Sequence, residues 1–151
     1  MNVYLDIDGV LRGVASPVSD VAAFLEYVLD NYGDSTYWLT THCRQGYNHS
    51  REALLDSELP TALAERAADT VKPSDFEVLK TDGIDFSKPF VWFDDNLFQS
   101  EQMVLEEHGC LSSHFLMDPR DPEMAQKALD LLKLLKEEEN EYQFFRNVKS
   151  W

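Results

Sequence analysis

Two short apolar runs, VYL at residues 3–5 behind Asn2 and FVWF at residues 90–93, each run straight into acidic residues: Asp6 with Asp8, and Asp94 with Asp95. An apolar run of three or four residues without polar alternation is short for a helix and leaves no face for water, so it reads as a strand covered on both sides. Asn2–Asp6 and Pro89–Asp94 are therefore expected as buried strands of a largely parallel sheet with helices on both faces. Their acidic residues then stand at the carboxyl end of the sheet, where loops and helix N-termini converge and open α/β sheets bind ligands.

The chain between and after these runs alternates in the same way. Val21, Phe24, Leu25, Val28 and Leu29 recur at three- and four-residue spacing, which predicts a helix over Val18–Tyr32 with Ser19 as N-cap and Gly33 as its stop. Ser35–Thr40 is strand-like and runs into the polar loop THCRQGYNHS. Short helices follow around Arg51–Ser57 and Thr61–Ala68, and Thr70–Phe86 carries no readable pattern. Ser100–His108 predicts a helix stopped by Gly109, Ser113–Met117 a fourth strand, and Asp121 with Pro122 the start of a last helix through Leu129, Leu132 and Leu135. The fold expected is α/β, a Rossmann-like three-layer sandwich. One domain spans 1–139, and a tail spans 140–151. The tail's Phe144, Phe145 and Trp151 either pack back on the domain or form a partner patch.

Length and charge exclude several classes. With 151 residues, 44% of them hydrophobic, the chain can build one core. A formal net charge of −15 opposes tight nonspecific nucleic-acid binding, which needs clustered Lys and Arg. The acidic run KEEENE reads as a solvated helix end, and together with the aromatic tail it is the place where a protein partner would dock. No apolar run approaches the roughly 18 residues of a membrane helix, and the N-terminal apolar stretch carries no basic leader, so a cytoplasmic protein is expected. Cys43 and Cys110 are too few and too isolated for a disulfide framework or a zinc site.

The chemistry concentrates at the strand ends. Asp6 closes the first strand, Thr40 the second, and Asp94 with Asp95 the third; Lys80 lies 14 residues before Asp94. Asp6 and Asp8, spaced i and i+2, lie on one side of an extended segment, and Gly9 lets the chain turn so that Asp8 leaves the strand line. Several carboxylates at one mouth are tolerable with a divalent cation between them, and oxygen-only ligands favour Mg2+ together with a substrate phosphate. In the loop after Thr40, Thr41, His42 and Arg44 are placed to meet a substrate, Arg44 suiting a phosphate.

DIDGVL, the strand-end Thr of YWLT, a later Lys and the WFDD run, in that order, resemble the four motifs of the haloacid dehalogenase (HAD) superfamily. The wording WLTTHCR and LKTDGIDFSKPFVWFDD is similar to the small HAD domains of, or related to, the "Swiss army knife" RNA-repair proteins. The resemblance implies a Mg2+-dependent phosphatase in which Asp6 is the nucleophile and forms an aspartyl-phosphate. Asp8 is then the general acid and base, Thr40 and Lys80 hold the phosphoryl group, and Asp6, Asp8, Asp94 and Asp95 serve the metal. Lys72 and Lys88 compete with Lys80 for the lysine role. The spacings from Asp8 to Thr40 and from Thr40 to Lys80, 32 and 40 residues, leave no room for a cap domain. The substrate expected is a phosphorylated one, with nucleotides and nucleic-acid ends among the candidates.

Other chemistries fit poorly. A cysteine-phosphatase loop places Arg six residues after its Cys, where this chain has His49. A response-regulator receiver has its acidic pair on the first strand and its Lys late, the reverse of the order here. DIDGVLRGVAS lacks the third Asp and the Glu of a calcium-binding EF-hand loop. The non-enzymatic alternative is a catalytically silent HAD-like module for phosphate sensing or protein docking.

Overall fold

In the computed structural model, the backbone of residues 1–149 and the side chains of residues 1–143 are described. Five strands form one parallel sheet: β1 (Asn2–Leu5), β2 (Thr36–Trp38), β3 (Lys72–Pro73), β4 (Phe90–Asp94) and β5 (His114–Leu116), in the order β3-β2-β1-β4-β5. The helices are α1 (Val18–Tyr32), α2 (Ser50–Leu55), α3 (Thr61–Thr70), α4 (Gln99–Glu107) and α5 (Met124–Lys149). The result is a Rossmann-like three-layer sandwich. Among the described residues no helix is long and apolar enough to cross a membrane.

Alternation along the central strands sorts the core into two layers. Val3 and Leu5 of β1, Trp38 of β2, and Val91 and Phe93 of β4 face α1, α3 and α5, where Phe24, Leu25, Val28, Ala67 and Leu132 meet them. Tyr4, Leu39, Phe90 and Trp92 face the other way, onto Leu105 of α4 and Phe76 and Ile84 of the β3–β4 connection. Every residue of β1 and β4 is buried, which is why both read as uninterrupted apolar runs. Fully burying one such side chain contributes about 2 kcal/mol. Phe24 of α1 meets Phe93 of β4 edge-on, with ring centroids 5.1 Å apart, so the helix is seated against the strand that carries Asp94.

The chain runs outward from β1 through β2 to β3, then crosses back over β1 to reach β4. Because parallel crossovers keep one hand, reversing direction along the sheet moves the connecting helix to the opposite face, and α4 lies there. The reversal falls between β1 and β4. That is the crevice in which the carboxyl ends of two neighbouring strands diverge.

Several local expectations change. The N-cap of α1 is Pro17, whose carbonyl accepts from the amides of Asp20 and Val21, and Ser19 lies inside the helix. Gly33 has φ −49° and opens a single 3-10 turn, Gly33–Ser35, instead of taking a left-handed cap. The sheet has a fifth strand, β3, two exposed residues on the edge that include Pro73; so short and polar a strand carries no apolar signal. At the other end Gly109 does adopt φ +67° after α4, and Asp121 Oδ1 accepts from the Glu123 amide at 2.9 Å to start the last helix. That helix continues unbroken to Lys149, through the position where the sequence suggests a tail. Glu137 and Glu138 are exposed on it, as a solvated acidic run should be, while Phe144, Phe145 and Trp151 lie outside the described side chains.

Candidate functional site

Leu5 of β1 sits beside Phe93 of β4, so the next residues out, Asp6 and Asp94, emerge side by side at the crevice. The Asp6 amide donates to the Phe93 carbonyl at 3.1 Å, which carries the pairing one residue past the strand. Both carboxylates are buried, Asp94 to 1% exposure. Between them stands Lys80, at the start of a 3-10 turn, Lys80–Gly83. Its Nζ lies 2.6 Å from Asp94 Oδ2 and 3.3 Å from Asp6 Oδ2. The rivals are elsewhere: Lys72 donates to the Asp34 carbonyl and lies over the Tyr37 ring, and Lys88 is exposed beyond the β4 amino end.

The remaining oxygens are fixed by backbone. Asp6 Oδ1 accepts from the Ile7 amide at 2.8 Å, and Asp94 Oδ1 from the Asn96 amide at 3.1 Å. These bonds leave Oδ2 of Asp6 turned toward the ammonium. Burial first, and the Asp6 charge second, push the Asp94 carboxyl up to about 8 against the pull of Lys80. Burial lowers the Lys80 pKa, but Asp6 and Asp94 outweigh it and raise it above the ordinary lysine value.

Asp95 completes an acidic trio. One carboxylate oxygen from each of Asp6, Asp94 and Asp95 lies within 4.8 Å of the others. With Asp94 ionised, three carboxylates against one ammonium would leave two negative charges unmatched, the charge of one divalent cation, and the all-oxygen donor set suits a hard metal. The residues present therefore fit such an ion. Gly9 makes the approach of Asp95 feasible. It sits at φ +75°, and a Cβ there would lie 2.2 Å from Asp95 Oδ2.

Asp8 belongs to a second cluster. Its side chain is 55% exposed and does not join the trio. Arg12 Nε donates to Asp8 Oδ1 at 2.5 Å, and His42 Nε2 lies 2.7 Å from Asp8 Oδ2, so a proton on that nitrogen donates to the carboxylate. Partial burial raises the Asp8 pKa, but the hydrogen bonds and charges of Arg12 and His42 bring the net shift below the ordinary carboxylate value. Arg12 is itself strapped down: Nη1 donates to the Ala53 carbonyl at 3.0 Å and lies 3.4 Å from Asp56 Oδ2. Its carbonyl accepts from the Gly9 amide at 2.9 Å, closing a tight loop around Asp8.

The β2 end contributes unevenly. Thr40 is fully buried, and its Oγ1 accepts from the His42 amide at 3.3 Å. His42 turns to Asp8. Thr41 is exposed, and Arg44 commits its guanidinium to the Glu77 carbonyl at 2.5 Å and to the face of Phe76, 5.7 Å from the ring centroid.

Two residues escape the sequence reading. Arg12 gives no periodic signal, although its place four residues after Asp8 in the chain is a usable hint. Glu101, on the first turn of α4, looks like a surface charge but is 2% exposed. Its Oε2 accepts from the Lys80 amide at 2.9 Å and its Oε1 from the Phe98 amide at 3.1 Å. Asp94 and Asp95 do not cap α4, whose first turn follows Phe98. No protein-family model matches the chain, and neither does any curated protein or solved structure.

Proposed function

We propose that the chain is a Mg2+-dependent phosphatase that works through an aspartyl-phosphate, of the kind its resemblance to HAD enzymes implies. The observation that carries this reading is the ammonium of Lys80 set between Asp6 and Asp94, with Asp95 within reach, at the crevice where the strand order reverses. Asp6, Asp94 and Asp95 would hold the metal, which when bound neutralises phosphate charge and aligns the phosphoryl group.

The protein's own groups divide the rest. Asp6 Oδ1 is pinned by the Ile7 amide, so Oδ2 is the oxygen that attacks phosphorus. The Asp6–phosphorus bond forms as the bond to the leaving oxygen breaks; Asp8, which rests as a carboxylate open to solvent, takes up a proton from water and passes it to that oxygen. Asp8 then takes a proton from the water that hydrolyses the acyl phosphate, which restores Asp6. Lys80 offsets charge that develops on the phosphoryl oxygens, and the Thr40 hydroxyl donates to one of them. Arg12 and His42 hold the Asp8 carboxylate in one orientation through both of its oxygens.

The test is phosphate release from p-nitrophenyl phosphate with and without Mg2+. Wild-type protein is expected to turn over only with the metal, and Asp6→Asn to lose at least about a thousandfold in kcat while keeping the wild-type circular dichroism spectrum. A pure, folded protein with no metal-dependent release across a broad phosphate panel supports the silent module instead.

A further inference from the structure

A carboxylate at the third position of a helix ordinarily needs one oxygen, to accept from the amide of the residue that caps the helix, and Gln serves there as well as Glu. Glu101 stands at that position in α4 and does this with Oε1, on the Phe98 amide at 3.1 Å. Capping does not account for the rest. Glu101 is buried, and its Oε2 reaches outside its own helix to the amide of Lys80, 21 residues earlier, at 2.9 Å. Two amide donors facing one side chain require an acceptor at both tips, which a carboxylate has and a carboxamide lacks.

Lys80 has need of such a tie. Asp6 and Asp94 stand on or beside strand ends, so the sheet sets their places. Lys80 instead lies in the β3–β4 connection, at the first position of a short 3-10 turn, where a backbone amide has no acceptor within the turn. Glu101 supplies that acceptor. Leu105 of α4 shares an apolar cluster with Trp92, two residues before Asp94 on β4. The backbone of Lys80 is thereby located, through Glu101 and α4, against the strand that carries its ion-pair partner Asp94. The side-chain contacts of Lys80 are a poorer anchor, because Asp6 and Asp94 are the carboxylates that a phosphatase would also engage with metal and phosphorus.

We infer that Glu101 is a positioning residue for phosphoryl transfer: by accepting from the Lys80 amide it fixes where the ammonium stands between Asp6 and Asp94. The inference rests on the phosphatase reading. Both oxygens of Glu101 are spent on backbone, so it acts through Lys80 and not on the phosphate itself.

Glu101→Gln and Glu101→Ala test it. Each is compared with wild type by p-nitrophenyl phosphate turnover at saturating Mg2+, by circular dichroism and, in 15N-lysine-labelled protein, by the Lys80 amide proton signal. Glu101→Gln keeps the length and one acceptor for the cap, and turns an NH2 group toward the Lys80 amide. It is expected to lower kcat at least about tenfold with KM within about threefold, because a misplaced ammonium is missed most where charge develops. The Lys80 amide signal is expected to move upfield as its hydrogen bond is lost. Glu101→Ala removes both acceptors and is expected to lower kcat at least as far. Should Gln turn its oxygen to Lys80 instead, the signal stays and the alanine variant decides. Should that variant not fold, Glu101→Met, of similar length and without a carboxylate, decides in its place. Wild-type kcat in any folded variant whose Lys80 amide signal has moved overturns the proposal, as does a loss carried wholly by KM. If wild type itself releases no phosphate, the phosphatase reading fails and the catalytic role with it, while the amide signal still reports whether Glu101 holds the Lys80 turn.

Discussion

Two acid–base clusters stand side by side after β1, and they are built on opposite plans. Asp6, Lys80 and Asp94 are buried, sit on strand ends or next to them, and are oriented by backbone amides. Asp8, Arg12 and His42 are more open to solvent, lie on loops, and orient one another through side chains. In the first cluster an unmatched charge is costly and the geometry is inherited from the sheet. In the second, solvent screens the charges, and what the contacts supply is direction.

The sharpest way to break the comparison is to remove the buried cation. Lys80→Ala leaves Asp6 and Asp94 facing each other without a counter-charge; it is expected to abolish phosphate release and to cost about 3 kcal/mol in urea unfolding at pH 8.5. A variant as stable as wild type there would show that the buried cluster is no more demanding than the open one. Gly9→Ala attacks the joint between them, since a methyl group would strike Asp95 at a residue with φ +75°. The expected loss is about 2 kcal/mol of stability, together with weaker Mg2+ binding by calorimetry.

In the open cluster, Arg12→Ala is expected to lower kcat about 10–100-fold with at most about 1 kcal/mol of destabilisation, because Asp8 loses its aim while solvent tolerates its charge. Arg12→Lys is expected to recover little, since one ammonium cannot span Asp8, Ala53 and Asp56 as the guanidinium does. Equal damage to stability in Arg12→Ala and Lys80→Ala would erase the distinction.

The effects of pH on stability are smaller and carry opposite signs. The Asp94 carboxyl, raised to about 8, favours a folded protein that keeps this proton, so in EDTA the thermal midpoint should fall as pH rises from 6.5 to 8.5. Added Mg2+ should oppose that fall. His114, packed edge-on against Trp92 with no hydrogen-bond partner for its Nε2 among the described residues, is held by burial at about 4. The unfolded chain takes up that proton first, so this residue removes stability as pH drops from about 6.5 toward 4, on the order of 2 kcal/mol after allowing for partial solvent access. His114→Phe should lack that loss when the two proteins are compared by urea unfolding at pH 6.5 and pH 4.5.

The same contrast explains what the sequence made legible. Asp6 and Asp94 could be found because each terminates an uninterrupted apolar run, and such a run has few alternatives to a buried strand. Lys80 could be found only as one of three lysines, since the fold and not the local sequence selects the one that reaches the crevice. Arg12 and Glu101 were not legible: a loop arginine has no period, and a helical glutamate looks the same whether it meets water or two backbone amides. Thr41 and Arg44 were chosen only for their place after β2; in the fold Thr41 is exposed and Arg44 is tied to Glu77 and Phe76.

The Glu101 bridge has a mechanical consequence. With one carboxylate oxygen on the Lys80 amide and the other on the Phe98 amide, the first turn of α4 and the turn that carries the ammonium move as a single lever. Anything that tilts α4, from a neighbour resting on exposed Phe98 or Met103 to a change in Leu105 packing, drags the positive charge relative to Asp6 without disturbing β1.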